Sequence, residues 1–127
     1  MIKIAKDSRS CELCKIALAI HELSGRLPIT MRSLYHKGVR IEKGNVVDMN
    51  YTGPILEKVL QSGHTQRVTP SNGIYRGIPV CVVPIKNDQG ETIAALGVVD
   101  VTMGIFEDLI QITSRPEIMR LKKRNML

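Results

Sequence analysis

Two β-rich runs around one strong turn constrain this chain most. Gly77 to Lys86 is rich in Val and Ile, and Asn87-Asp88-Gln89-Gly90 supplies the residues of a tight turn. Glu91 to Val101 then returns as a second strand, so the pair predicts a β-hairpin. Within the return strand, Ile93-Ala94-Ala95-Leu96-Gly97-Val98-Val99 is apolar without a break, which predicts a central strand covered on both faces. Its small residues, Ala94, Ala95 and Gly97, let a helix or a ligand approach closely. Pro79 and Pro84 each remove a ladder donor and predict an edge, a bulge or an outward-facing N–H.

The rest of the chain supplies helices and shorter strands. Ser8 or Ser10 is placed to cap a helix running to about Leu23, with Gly25 as its left-handed stop. Leu13, Ile16, Ala17, Ile20 and Leu23 follow the spacing of one helical face, and Leu18 and Ala19 widen it. Ile29 to Tyr35 and Val39 to Ile41 read as strands around a His36-Lys37-Gly38 turn. Glu42-Lys43-Gly44-Asn45 reads as a second turn and Val46 to Met49 as a short continuation. Thr52-Gly53-Pro54 opens a second helix, with Thr as cap; Ile55, Leu56, Val59 and Leu60 share one face, and Gly63 stops it. Thr65 to Thr69 is a short strand. After the hairpin, Thr102 caps a third helix from about Gly104 to Ile112 that directs Ile105, Phe106, Leu109, Ile110 and Thr113 inward.

This order, α-β-β-α-β-β-β-α, predicts an α+β fold with a five-stranded antiparallel sheet and flanking helices. It comprises one domain over residues 1–114 and a basic tail or short helix over 115–127. The run from Gly73-Ile74-Tyr75-Arg76-Gly77-Ile78-Pro79-Val80 through Pro84-Ile85 and Gly90 to Ala95-Leu96-Gly97-Val98-Val99-Asp100 resembles the final hairpin of PAS and GAF sensor domains. The element order as a whole resembles the PAS, GAF and roadblock (profilin-like) superfamily of small sensory and regulatory domains. Over its full length the chain also resembles a family of small uncharacterised archaeal proteins from methanogens, a likeness that brings no activity with it. The superfamily resemblance implies a ligand cavity lined by the strand after the turn. No haem-ligating His or flavin-reactive Cys stands in a matching context, so it implies no bound cofactor.

Charge narrows the partners. The net charge is +6, but Arg115, Arg120, Lys122, Lys123 and Arg124 stand against Glu117 alone in the last residues, leaving the first 114 at +2. The basic tail offers a weak nucleic-acid reading, opposed by the near-neutral body and by the absence of a helix-turn-helix or RNA-binding signature. With no Trp, one Phe and three Tyr, the chain also lacks platforms for base stacking. No apolar run approaches the length of a membrane span, and the N-terminus does not read as a signal peptide; a cytoplasmic location is expected. Cys11 and Cys14 form a C-x-x-C near a helix start, and Cys81 stands alone. The set suits neither a disulfide framework nor a four-ligand zinc site, so these residues read as buried core or interface cysteines, with no metal.

Hydrolase, zincin, Walker and dinucleotide-binding motifs are all lacking. His21, His36 and His64 are dispersed over different elements. No catalytic residues are therefore assigned, and the chain is expected not to be an enzyme. The expected function is binding of a small anionic or apolar metabolite in a pocket between sheet and helices. The candidate ligand-binding residues are Tyr75 and Arg76 before the hairpin, Asp100 at its end, Arg32 and Tyr35 on the first strand, and Arg67 beside the loop. An arginine there would grip a carboxylate or phosphate with its planar fork. The module would signal through its flanking helices to a separate output protein. The alternative is a ligand-free interaction module of roadblock type. In either reading a homodimer through the apolar N-terminal helix is expected.

Overall fold

The computed structural model describes residues 3–100. Helix α1 (Ser10–Leu23) is followed by strands β1 (Ile29–Ser33), β2 (Gly38–Glu42) and β3 (Asn45–Tyr51). Helix α2 (Pro54–Ser62) leads to β4 (Gln66–Val68), β5 (Val80–Lys86) and β6 (Thr92–Val99). The fold is α+β, and the six strands form one antiparallel sheet in the order β3-β2-β1-β6-β5-β4. It consists of two three-stranded meanders joined where the first strand pairs with the last, Ile29 opposite Val98 and Met31 opposite Leu96. Helix α2 carries the chain from one outer edge of the sheet to the other.

Six strands replace the expected five because Asn45–Tyr51 is a full strand and not a short continuation. Its hairpin with β2 turns on Lys43 (φ 52°) and Gly44 (φ 80°), both left-handed as a two-residue turn between twisted strands requires. The strand is an outer edge, with Val47, Met49 and Asn50 exposed, so its apolar pattern is faint and backbone pairing defines it. Both helix caps also differ from expectation. Arg9, and not a serine, is the N-cap of α1, and its N–H is held by the Glu12 carboxylate at 3.0 Å. Ser8 is buried beneath that turn and accepts the Ala5 N–H on its hydroxyl at 2.8 Å. Gly53 is the N-cap of α2, with Pro54 in its first turn. Thr52 instead accepts a hydrogen bond from Arg32.

Side chains alternate across the sheet and divide the core in two. On one face Leu13 and Ala17 of α1 pack on Ile29, Met31, Val39 and Ile41, all buried. On the other, Leu56, Val59 and Leu60 of α2 pack on Val80, Val82, Ala95 and Val99, with Tyr51 and Tyr75 alongside. Each fully buried aliphatic side chain stabilises the fold by about 1.5–3 kcal/mol. The expectation of a β6 covered alike on both faces is only half met among the described residues. Ala95 and Val99 are buried toward α2, whereas Leu96 and Val98 on the α1 side are only partly so. Pro84 is accommodated because β4 pairs only with Val80–Val82, leaving β5 open on that side at the proline. The helix expected near 104–112 and the basic tail 115–127 lie outside the described residues.

Candidate functional site

Between β4 and β5 the chain makes an eleven-residue excursion, 69–79, whose ends are drawn together by the Gly77 N–H on the Pro70 carbonyl at 2.9 Å. Pro70 and Tyr75 are buried inside it, while Ser71 to Ile74 and Arg76 to Ile78 are exposed. Such compact loops, closed at the base and packed by their own side chains, recur at functional positions. This one lies over the sheet face that α2 covers. Loop, sheet and the first turn of α2 together border a partly open cavity of about 30 Å³, lined by Thr30, Tyr51, Leu56, Tyr75, Val82 and Gly97 among others. No side chain fits at Gly97 in its wall: a Cβ there would stand 2.7 Å from Thr30 Oγ1 and 3.0 Å from a Val82 methyl. As it stands the cavity admits a water or two.

A polar cluster flanks the cavity. Arg40 and Glu42 are two apart on β2, so they share the face opposite to Val39 and Ile41. The Tyr75 hydroxyl reaches across from the loop and donates to Glu42 Oε2 at 2.8 Å. The same oxygen accepts from Arg40 Nη1 in an ion pair. The Arg40 guanidinium stacks 5.9 Å from the centre of the Tyr51 ring. Its Nε is buried without a hydrogen-bond partner among the described residues. Burial draws the Arg40 pKa down, but the neighbouring Tyr75 and Glu42 outweigh it, so the guanidinium is held charged more firmly than usual. Burial, followed by the Glu42 bond, pushes the Tyr75 phenol well above its ordinary value; burial raises Tyr51 too.

This has a measurable consequence. A phenol whose folded pKa is raised contributes stability that is complete below the ordinary tyrosine value of 10.0 and is lost as pH rises past it. The urea midpoint is therefore expected to fall above pH 10, and to fall less steeply in Tyr75→Phe. Parallel curves for the two proteins would show that Tyr75 does not carry this linkage.

Of the residues singled out from the sequence, Tyr75 alone lines the cavity. Arg76, its neighbour, is exposed. All the guanidinium nitrogens of Arg32 are occupied: Nε donates to Ser33 O at 2.9 Å, Nη1 to Thr52 Oγ1 at 2.9 Å and Nη2 to Leu34 O at 3.0 Å. Arg32 thus ties the end of β1 to the entry of α2. Tyr35 is 64% exposed and lies past the end of β1. Arg67 is exposed on the edge strand β4. Asp100 follows β6, its N–H donating to Pro79 O at 2.8 Å at the foot of the loop. Arg40 and Glu42 went unmarked in the sequence. The signal that marks them is the V-R-I-E alternation, which turns two opposite charges toward one face of a strand.

The cysteines do not form a buried set. Cys11 is exposed, Cys14 is partly buried with its thiol on Cys11 O at 3.4 Å, and Cys81 is partly buried on β5. Among the described residues no group of three or more His, Cys, Asp or Glu is arranged to hold a metal, and no helix is long and apolar enough to cross a membrane. His21 is fully buried within the α1 core, bonded at both ring nitrogens.

Comparison with known proteins gives the chain a family. No solved structure matches the chain. An uncharacterised protein of Methanocaldococcus jannaschii is 49% identical over 118 residues, spanning 93% of this chain and 89% of the relative. The family described as "Uncharacterized protein conserved in archaea (DUF2111)" matches residues 20–102, which take in the whole sheet, α2 and the loop with its cavity. The chain belongs to this archaeal family.

Proposed function

We propose that this protein is a regulatory module that binds a small molecule between the sheet and the 69–79 loop, in the manner of PAS and GAF sensors, and that it has no catalytic activity of its own. The observation that carries this reading is the cavity itself, closed by one bond from the loop, Tyr75 to Glu42, beside a charged arginine with a buried Nε unused. A donor left unpaired in the interior costs about 1–3 kcal/mol, so a ligand acceptor that reached Arg40 would recover it. A carboxylate or phosphate on a small apolar body suits both the arginine and the aliphatic lining. A ligand of ordinary size requires the loop to lift, because the cavity is far smaller than the roughly 300 Å³ of an ordinary ligand site.

Gly97 and Val98 line this cavity and also the groove on the opposite face of the sheet, so strand β6 is the natural route by which loop opening would reach the α1 side. The output would pass to a separate partner protein by a shift between closed and open populations.

The test is a thermal-shift panel of small carboxylates, phosphates and apolar acids on the full chain. A compound at 100 times its Kd adds about 2.7 kcal/mol, or several degrees in Tm. Gly97→Ala, whose Cβ would crowd Thr30 and Val82 at the cavity wall, is expected to abolish that shift, with circular dichroism of the unliganded variant as the check that it folds. A panel without any stabilising compound, or a shift retained in Gly97→Ala, would remove this site as the binding place.

A second reading rests on α1. Leu23 is 87% exposed at its end, and Ile16, Leu18 and Ile20 are only partly covered, which favours pairing with another copy in the roadblock manner. Leu18→Lys and Leu23→Lys would then shift the sedimentation coefficient from dimer to monomer; a wild-type monomer at every concentration excludes it.

A further inference from the structure

Cys11 and Cys14 lie three residues apart near the start of α1, and the ligand-binding reading uses neither of them. The fold gives the two thiols different settings. Cys11 is exposed, whereas Cys14 is partly buried and packs against the α1 core. The Cys14 thiol donates to the Cys11 carbonyl oxygen at 3.4 Å, so its sulfur lies back over the turn that carries Cys11. Residues at this helical spacing hold their Cβ atoms about 5–6 Å apart. A disulfide needs about 3.5–4.5 Å, so a modest tightening of one turn would join the sulfurs. The turn just before is already tight, with the Arg9 carbonyl accepting from Glu12 N–H at 2.9 Å as well as from Leu13 N–H at 3.1 Å. Cys81 stands apart: it shares a groove with Ile20 and Ser24, near the other end of α1.

We propose that Cys11 and Cys14 form a reversible dithiol–disulfide site whose oxidant is a low-molecular-weight disulfide. Cys11, the exposed thiol, attacks first as its thiolate. Its sulfur bonds to one sulfur of the oxidant, the oxidant's own S–S bond breaks, and one thiolate leaves. The Cys14 thiolate then attacks Cys11 Sγ, the mixed disulfide breaks, and the second thiolate leaves. Two protein thiols lose two electrons and become one disulfide; the oxidant gains them and, with the two cysteine protons, departs as two thiols. The chemistry bears on the core through Leu13, which stands between the two cysteines and is fully buried. The segment ahead of the helix is fastened to the end of β1, Ser33 Oγ donating to Ser8 O at 2.6 Å and Tyr35 N–H to Lys6 O at 2.9 Å. With both ends of the turn held, tightening it presses on Leu13 and its neighbours. The disulfide is therefore strained in the folded chain and readily reduced, as a reversible site requires. It does not depend on the cavity beneath the 69–79 loop, which lies on the opposite face of the sheet.

The test equilibrates full-length protein with mixtures of oxidised and reduced glutathione, quenches in acid, alkylates with N-ethylmaleimide and reads the intact mass. The expected oxidised product is a single chain two hydrogens lighter than the reduced one, with Cys81 the thiol left to alkylate. In Cys14→Ser the reaction is expected to stop with glutathione on Cys11, because no second thiol expels it. The same mixtures in urea give the unfolded reference. The ratio of disulfide to dithiol is expected to be about tenfold lower in the folded chain than in the unfolded one, and Cys81→Ser should change neither value. Wild-type protein that retains glutathione on Cys11, as Cys14→Ser does, overturns the proposal. A disulfide between chains, or one that includes Cys81, overturns it too. Equal ratios in the folded and unfolded chain also overturn it, since the two thiols would then pair as any flexible segment allows. The comparison of folded with unfolded chain uses wild-type protein throughout, so a variant that fails to fold does not blunt it.

Discussion

Gly38→Ala is expected to destabilise the protein by about 3 kcal/mol or more, with a fall in Tm on the order of 10 °C. A Cβ at this position would stand 1.7 Å from the Met31 carbonyl oxygen and 2.6 Å from the Arg32 Cα. Both are backbone or backbone-adjacent atoms of the neighbouring strand, so no side chain can swing aside. β1 and β2 would have to part where β1 binds both the first meander and, through β6, the second. Gly25→Ala is the control. There the glycine is left-handed, at φ 77°, but nothing stands within 4 Å of an added Cβ; its cost is backbone strain alone, about 1 kcal/mol. Urea denaturation of the three proteins separates crowding from strain. A Gly38→Ala protein within about 0.5 kcal/mol of wild type would mean that the strands are not this close.

His21→Leu is the second large effect, a loss of about 2–5 kcal/mol from two stranded backbone groups. The ring is fully buried. Leu27 O only accepts, so Nδ1, at 2.7 Å, must carry the proton; the Gly44 N–H only donates, so Nε2, at 2.9 Å, must accept it. One side chain on the last turn of α1 thereby pins the entry to β1 and the β2–β3 turn. Leucine fills much of the space and bonds neither group, so the loss reports the hydrogen bonds and not a cavity. The measurement is the urea midpoint, with amide exchange at Gly44 as the local readout. A loss below about 1 kcal/mol, with Gly44 still protected, would show that the ring's bonds are replaced by others.

Much of the fold was legible because it is locally encoded. Asn87-Asp88-Gln89-Gly90 turns the chain without help from elsewhere, the spacing of Leu13, Ala17 and Ile20 makes a helix with an apolar face, and Pro54 and Gly63 bracket α2. Strand β3 was faint because an outer strand buries little, and so its sequence shows little period. The binding residues were harder. Arg32 seemed suited to grip an anion, yet each of its three guanidinium nitrogens already donates within the fold, Nη1 to Thr52 at the entry of α2 and the others to the Ser33 and Leu34 carbonyls. An arginine's partners depend on which carbonyls and hydroxyls the fold brings near it, and sequence spacing says nothing of that. Tyr75 was identified without Glu42, its partner 33 residues away.

The amino-acid sequence by itself determined that this chain would be an α+β domain around an apolar β-hairpin, because turn chemistry and side-chain periodicity act over a few residues. The tertiary structure alone decided that β1 pairs with β6, that α1 and α2 take opposite faces, and that Tyr75 closes over Arg40 and Glu42. Those contacts join residues far apart in the chain. Each forms only when the whole sheet is assembled, since no local interaction repays the entropy of bringing such residues together.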